Sequence, residues 1–175
     1  MNTRYCLDTN ALIRPWTGYY APDLCPDYWD ILRDLAGKGI IFCPEEVRRE
    51  LEKREDGLFK WANGTRGLFE PLSEPVQRRM REILLGYPRL VDTRKGRDLA
   101  DPWVIASAWE AGATVVTRET VKNRGPDRYG IPEVCAKLNI ACIGDHHFVR
   151  AVGIKLNASL DPPISARERL GFRLE

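Results

Sequence analysis

Four carboxylates, Asp8, Glu50, Asp101 and Glu119, are the side chains in this sequence whose type and placement suit chemistry. Gathered at one place they would make a hard oxygen site, which selects Mg2+ or Mn2+ over softer metals. A divalent cation held in such a site lowers the pKa of water and stabilises charge growing on phosphate, the chemistry of metal-assisted phosphodiester hydrolysis. Clustered acids otherwise repel one another, and a bound cation removes that conflict.

Asp8 has the strongest local case. Tyr5, Cys6 and Leu7 form a short apolar run of the kind that ends a strand buried on both faces, and Asp8 follows directly. A carboxylate there is poorly solvated unless it meets a cation or backbone donors. Its competing use is a turn that caps over Asn10, which otherwise supports the site. In the helix that opens at Pro44, about 100° per residue sets Val47, Leu51 and Leu58 in one stripe. Glu50 lies on the edge of that stripe and is the expected ligand, while Glu46 turns toward solvent and serves the positive helix end. Asp101 precedes Pro102, which suits an N-cap with proline at the first helical position, and a capping carboxylate keeps a second oxygen for a metal. Asp98, one turn earlier, is its alternate. Glu119 lies two residues past Thr117, whose hydroxyl is placed to orient a water.

These acids meet only if repeated βα units carry them to one edge. Strands are expected over residues 5–7, 40–43, 114–117 and 140–143. Between them the sequence predicts a short turn before Pro15, a helix from Pro26 to Gly37, the helix from Pro44, and a partly helical stretch over 56–86. Further helices follow from Asp101, apolar nearly all round, and from Ile131, with Asp145 capping the last one. Strands alternating with helices at these lengths imply an α/β fold, a three-layer α/β/α sandwich around a central parallel sheet of four to five strands. Residues 1–153 are expected to form one domain, and residues 154–175 a tail or a docking helix. In open sheets of this kind ligands bind beyond the carboxyl ends of the strands.

A chain of 175 residues, 43% hydrophobic and 30% charged, can bury one full core and is not that of a disordered protein. A net charge of +2 makes no global field, so a polyanion must be met by local patches. Two basic runs are placed for nucleic acid: Arg94, Lys95 and Arg97 before Asp101, and Arg118, Lys122, Arg124 and Arg128 after the third expected strand. Phosphate contacts from such loops give affinity and salt dependence without sequence choice. Trp16, Tyr19 and Tyr20, close to Asp8, are placed to stack single-stranded bases. Five cysteines without a C-x-x-C pair fit free thiols in a reducing cytoplasm. No stretch reaches the ~18 apolar residues of a membrane helix, so no membrane partner is expected. His146 and His147, adjacent and on different helix faces, are given no chemistry.

The order Leu-Asp-Thr-Asn (7–10), Pro-x-Glu-Val-x-x-Glu-Leu (44–51), Ala-Asp-Pro-Trp-Val-Ile-Ala (100–106) and Val-Val-Thr-x-Glu (115–119) resembles the PIN-domain nucleases. It is most similar to a PIN-like subgroup long catalogued as a domain of unknown function. The resemblance implies a ribonuclease that uses Mg2+ or Mn2+, with the family's acids falling on Asp8, Glu50, Asp101 and Glu119. It also implies an RNA substrate, a role often met as the toxin of a toxin–antitoxin pair with an antitoxin partner, and frequent homodimers. Two features depart from the family: its fourth acid is usually Asp, and the segment 56–96 is longer than in the compact toxins. Two other readings remain open. A phosphatase with Asp8 as nucleophile would want an acid where Asn10 stands, and a PIN-like module could bind RNA or a partner without cutting.

Overall fold

The computed structural model describes residues 3–54, 56–90, 99–121 and 129–157. The chain runs β1 (Tyr5–Leu7), α1 (Thr9–Thr17), α2 (Pro26–Gly37), β2 (Ile41–Pro44), α3 (Glu45–Glu52), α4 (Gly57–Asn63), β3 (Phe69–Glu70), α5 (Glu74–Gly86), α6 (Asp101–Ala111), β4 (Thr114–Val116), α7 (Ile131–Lys137), β5 (Cys142–Ile143) and α8 (Asp145–Ala151). All strand pairs are parallel, in the order β3-β2-β1-β4-β5. This is the expected three-layer α/β/α sandwich, with five strands.

β1 sits at the centre, with Tyr5, Cys6 and Leu7 all buried, as a strand covered on both faces requires. It pairs with β2 on one side (Cys6 opposite Phe42) and β4 on the other (Cys6 opposite Val115). Cys6 and Cys43 act there as small hydrophobes, and burial holds both thiols far up. From β1 the chain winds outward through β2 and β3, then returns past β1 to lay down β4 and β5. The direction of winding therefore reverses between β1 and β4, and such a switch point opens a crevice at the strands' carboxyl ends.

α6 is the helix that the apolar sequence places against the sheet. Val104, Ile105, Ala106 and Ala108 are buried, and the helix packs on β1, β2 and β4. On its other side α5 docks, with Arg79 lying 4.4 Å from the Trp109 ring centroid and 3.3 Å from Glu110. Gly112 ends α6 at φ 60°, the left-handed conformation in which glycine carries no Cβ penalty.

Local departures from the sequence reading have local causes. α1 does not stop at Pro15 but runs to Thr17, whose hydroxyl donates to the Ile13 carbonyl at 2.9 Å. Pro44 ends β2 in extended backbone, so helix α3 begins at Glu45. Leu58 does not extend the α3 stripe. It belongs to α4, which Asp56 starts as N-cap by accepting from the Phe59 amide at 3.1 Å. β3 was not expected, because two residues at a sheet edge leave no periodicity to read. Among the described residues no helix is long and apolar enough to cross a membrane.

Candidate active site

Asp8 leaves β1 at the switch point. Its amide donates to the Val116 carbonyl at 2.9 Å, which fixes it beside the end of β4. Its backbone stands in the N-cap position of α1, yet its side chain makes no cap hydrogen bond. The carboxylate turns instead to Thr117, whose hydroxyl donates to Oδ2 at 2.8 Å. Only 2% of Asp8 is exposed. Burial pushes its carboxyl from 3.8 up to about 7; the Thr117 hydroxyl and Thr9 amide oppose the rise, and the charges of Glu119 and Glu50 add to it. Asp8 is a buried acid surrounded by more negative charge.

Glu50 reaches this edge from α3. It accepts from the Thr9 hydroxyl at 2.5 Å and from the Ala100 amide at 3.1 Å, so it ties the start of α1 to the start of α6. Glu46 is not turned to solvent as the helix geometry alone suggests. Its side chain is 16% exposed and pairs with Arg49 at 2.5 Å. Glu50 is the one that Asp8 feels.

Asp101 is buried at the first residue of α6, and Ala100 occupies the N-cap position. It is therefore not the cap that its place before proline suggests. The Ala100 amide is taken by Glu50, and the helix starts one residue later with Asp101 in its positive first turn. Glu119 follows β4. Its amide donates to Thr117 Oγ1 at 3.1 Å, and its Oε2 accepts from the Ile131 amide at 2.9 Å, at the start of α7. Thr117 thus links Asp8 to Glu119, and its proton is committed to Asp8 rather than to a water. Asn10 is exposed on α1.

Helix starts crowd this edge. α1, α3, α6 and α7 present first-turn amides to it, and their positive ends favour carboxylates. Even so, the acids remain apart: among the described residues no group of three or more His, Cys, Asp or Glu side chains is gathered as a metal would require. The donor set still fits Mg2+ or Mn2+, because such ions are commonly held by one or two carboxylates with waters and phosphate completing the shell. The placement of Asp8, buried and within electrostatic reach of Glu119 and Glu50, is the observation that favours that fit.

Arg118 is exposed next to Thr117. Arg94, Lys95, Arg97 and Asp98, and likewise Lys122, Arg124 and Arg128, lie outside the described residues. Of the three aromatic candidates, Trp16 packs against Trp29, with ring centroids 4.7 Å apart, and Tyr20 against Tyr28 at 4.4 Å. Only Tyr19 is left substantially open.

One acid of this edge reads from the sequence only as the cap of the last helix, but Gly144 holds the N-cap position and Asp145 is the first residue of α8. Asp145, at the start of α8, is 2% exposed and accepts from Arg118 Nη1 at 3.0 Å, from the His146 amide at 2.8 Å and from the Tyr19 hydroxyl. Its signal was available: it follows the strand Cys142–Ile143 by one glycine, much as Asp8 follows Leu7.

Fold and site together define a doubly wound α/β protein with Asp8, Glu50 and Glu119 near its topological switch point. The sequence matches the domain of unknown function DUF4411 over residues 5–156, and the chain belongs to that family. No curated protein matches it.

Proposed function

We propose that this protein is a divalent-cation-dependent endoribonuclease of the PIN-domain kind. The observation that carries the reading is Asp8, a buried carboxylate that forgoes its helix cap and sits among other acids at the switch point. Asp8 and Glu50 would be the first ligands for Mg2+ or Mn2+, and Asp101 and Glu119 would draw in to complete the site. When bound, the cation lowers the pKa of water and stabilises charge on the phosphate.

The chain's own groups prepare that chemistry. Thr117 fixes one oxygen of Asp8, and the Thr9 hydroxyl and Ala100 amide fix Glu50, so each acid is oriented before a cation draws them together. Glu119, anchored through Oε2, positions the attacking water. In the reaction the water oxygen bonds to phosphorus, a bridging P–O bond breaks, and the leaving oxygen takes up a proton. RNA is held by basic residues around the edge, Arg118 among them. A role as the toxin of a toxin–antitoxin pair, an antitoxin that covers this edge, and a homodimer belong to the same proposal.

The test is cleavage of structured and single-stranded RNAs with Mg2+, Mn2+ or EDTA, comparing wild type with Asp101→Asn. Cutting should require the metal and disappear in the variant. Cutting that survives the substitution would overturn the site, and folded protein that binds RNA but does not cut it with either metal would make it a binding module.

A further inference from the structure

We infer that Tyr19, His146 and Arg118 form a stacking subsite for an unpaired base of the bound strand, with Arg118 reaching its phosphate. The nucleic-acid occupant rests on the reading above; the platform itself is visible in the structure.

Asp145 is its base. The buried carboxylate draws together the Tyr19 hydroxyl, Arg118 Nη1 and the start of α8. These bonds bring three flat groups together: Arg118 Cζ lies over the Tyr19 ring, 5.5 Å from its centroid, and the His146 ring lies 5.2 Å from it at a 39° tilt. Behind them Tyr20 meets Tyr19 edge-on at 4.8 Å and packs in turn on the buried Tyr28, so the platform is braced from the core. The cluster is accessible from solvent: Tyr19 is 37% exposed, the Arg118 side chain 38%, and His146 is also exposed.

The position matters as much as the composition. Thr117 reaches Asp8, and the next residue, Arg118, reaches Asp145, so Asp8 and the platform share the exit of β4. A strand with a phosphate at the acids would lay a neighbouring nucleotide on the platform. Aromatic rings and a guanidinium accept the π-face of any base, so the subsite would favour single strands over duplexes with little choice of sequence. Arg118 has five donors in a planar fork, of which Nη1 goes to Asp145, and its exposed part suits a phosphate oxygen.

The experiment is fluorescence anisotropy in EDTA with a labelled single-stranded RNA of about 12 nucleotides, the same strand with abasic sites, and its duplex. Tyr19→Leu and His146→Ala should each weaken binding of the base-bearing strand about five- to tenfold and leave the abasic strand unchanged. Arg118→Gln should reduce the salt slope by about one for both strands. His146 is exposed, so its variant keeps the fold even where Tyr19→Leu loosens Asp145. Wild type that does not distinguish base-bearing from abasic strands, or a His146→Ala variant that binds both as wild type does, overturns the subsite. Protein that shows the base preference yet fails to cut RNA with either Mg2+ or Mn2+ sinks the nuclease reading and leaves the subsite standing.

Discussion

Asp8 and Asp145 make a controlled pair. Both are 2% exposed, and both follow a strand at the same sheet edge. Burial raises the carboxyl pKa of each. Their surroundings differ: Asp145 has a guanidinium, a phenol and a backbone amide, whereas Asp8 has the Thr117 hydroxyl and the Thr9 amide, no cation among the described residues, and two further carboxylates within electrostatic reach. The first carboxylate is balanced and braces the loops around it. The second is unbalanced and is pushed to about 7. Burial alone does not separate a brace from a binding site; the balance of charge around the buried group does.

The sharpest way to break this contrast is to remove each acid. Asp8→Asn should lower RNA cleavage by about a thousandfold or more and leave the protein folded. Asp145→Ala strands Arg118 and Tyr19, and should cost about 2–4 kcal/mol of unfolding free energy in denaturant titration. Full cleavage by the first variant, or full stability of the second, would end the distinction.

The same comparison recurs one turn apart on α3. Glu46 has Arg49, whereas Glu50 has only the neutral donors of Thr9 and Ala100 among its hydrogen bonds here. Glu50→Gln should slow cleavage about a hundredfold, and Glu46→Gln should stay within about threefold of wild type. Equal losses in steady-state assays would place Glu46 in the site as well.

The smallest expected effect is on pH dependence. The folded-state pKa of Asp8, about 7, lies above its ordinary 3.8, so the folded protein holds a proton that the unfolded chain releases. Its contribution to stability is complete below the ordinary value and is lost as pH rises through about 7. Metal-free protein should therefore lose about 1–3 kcal/mol between roughly pH 5 and pH 8, and Asp8→Asn should flatten that slope. Added Mg2+ should raise the melting temperature more at the higher pH, where the carboxylate is ionised. A wild-type slope unchanged by the substitution would mean that Asp8 does not carry it.

Much of the fold was legible because its signals are local. Tyr5–Leu7, Ile41–Cys43 and Thr114–Val116 are continuous apolar runs, and α6 is apolar around its whole circumference. Gly112 marked the end of α6, and Pro26 and Pro132 lie in the first turns of α2 and α7. What failed to show was of two sorts. β3 is a strand only because β2 is there to pair with it. The break between α3 and α4 turned on the cap at Asp56, which a stripe drawn through Leu58 overrode.

The site divides in the same way. The sequence by itself determined that Asp8, Asp101 and Glu119 stand at element ends, because strand and helix boundaries are set by neighbours along the chain. It also placed Glu50 on the edge of a helical stripe, since that position follows from about 100° per residue. Only the tertiary structure decided that Thr117 gives its proton to Asp8, that Glu50 bridges Thr9 and Ala100, and that Arg118 belongs with Asp145 and Tyr19. Those pairings join residues 27 to 126 positions apart. The Thr117–Asp8 and Tyr19–Asp145 pairs cross the point where the winding of the sheet reverses between β1 and β4, and no local preference encodes which distant side chains that reversal brings together.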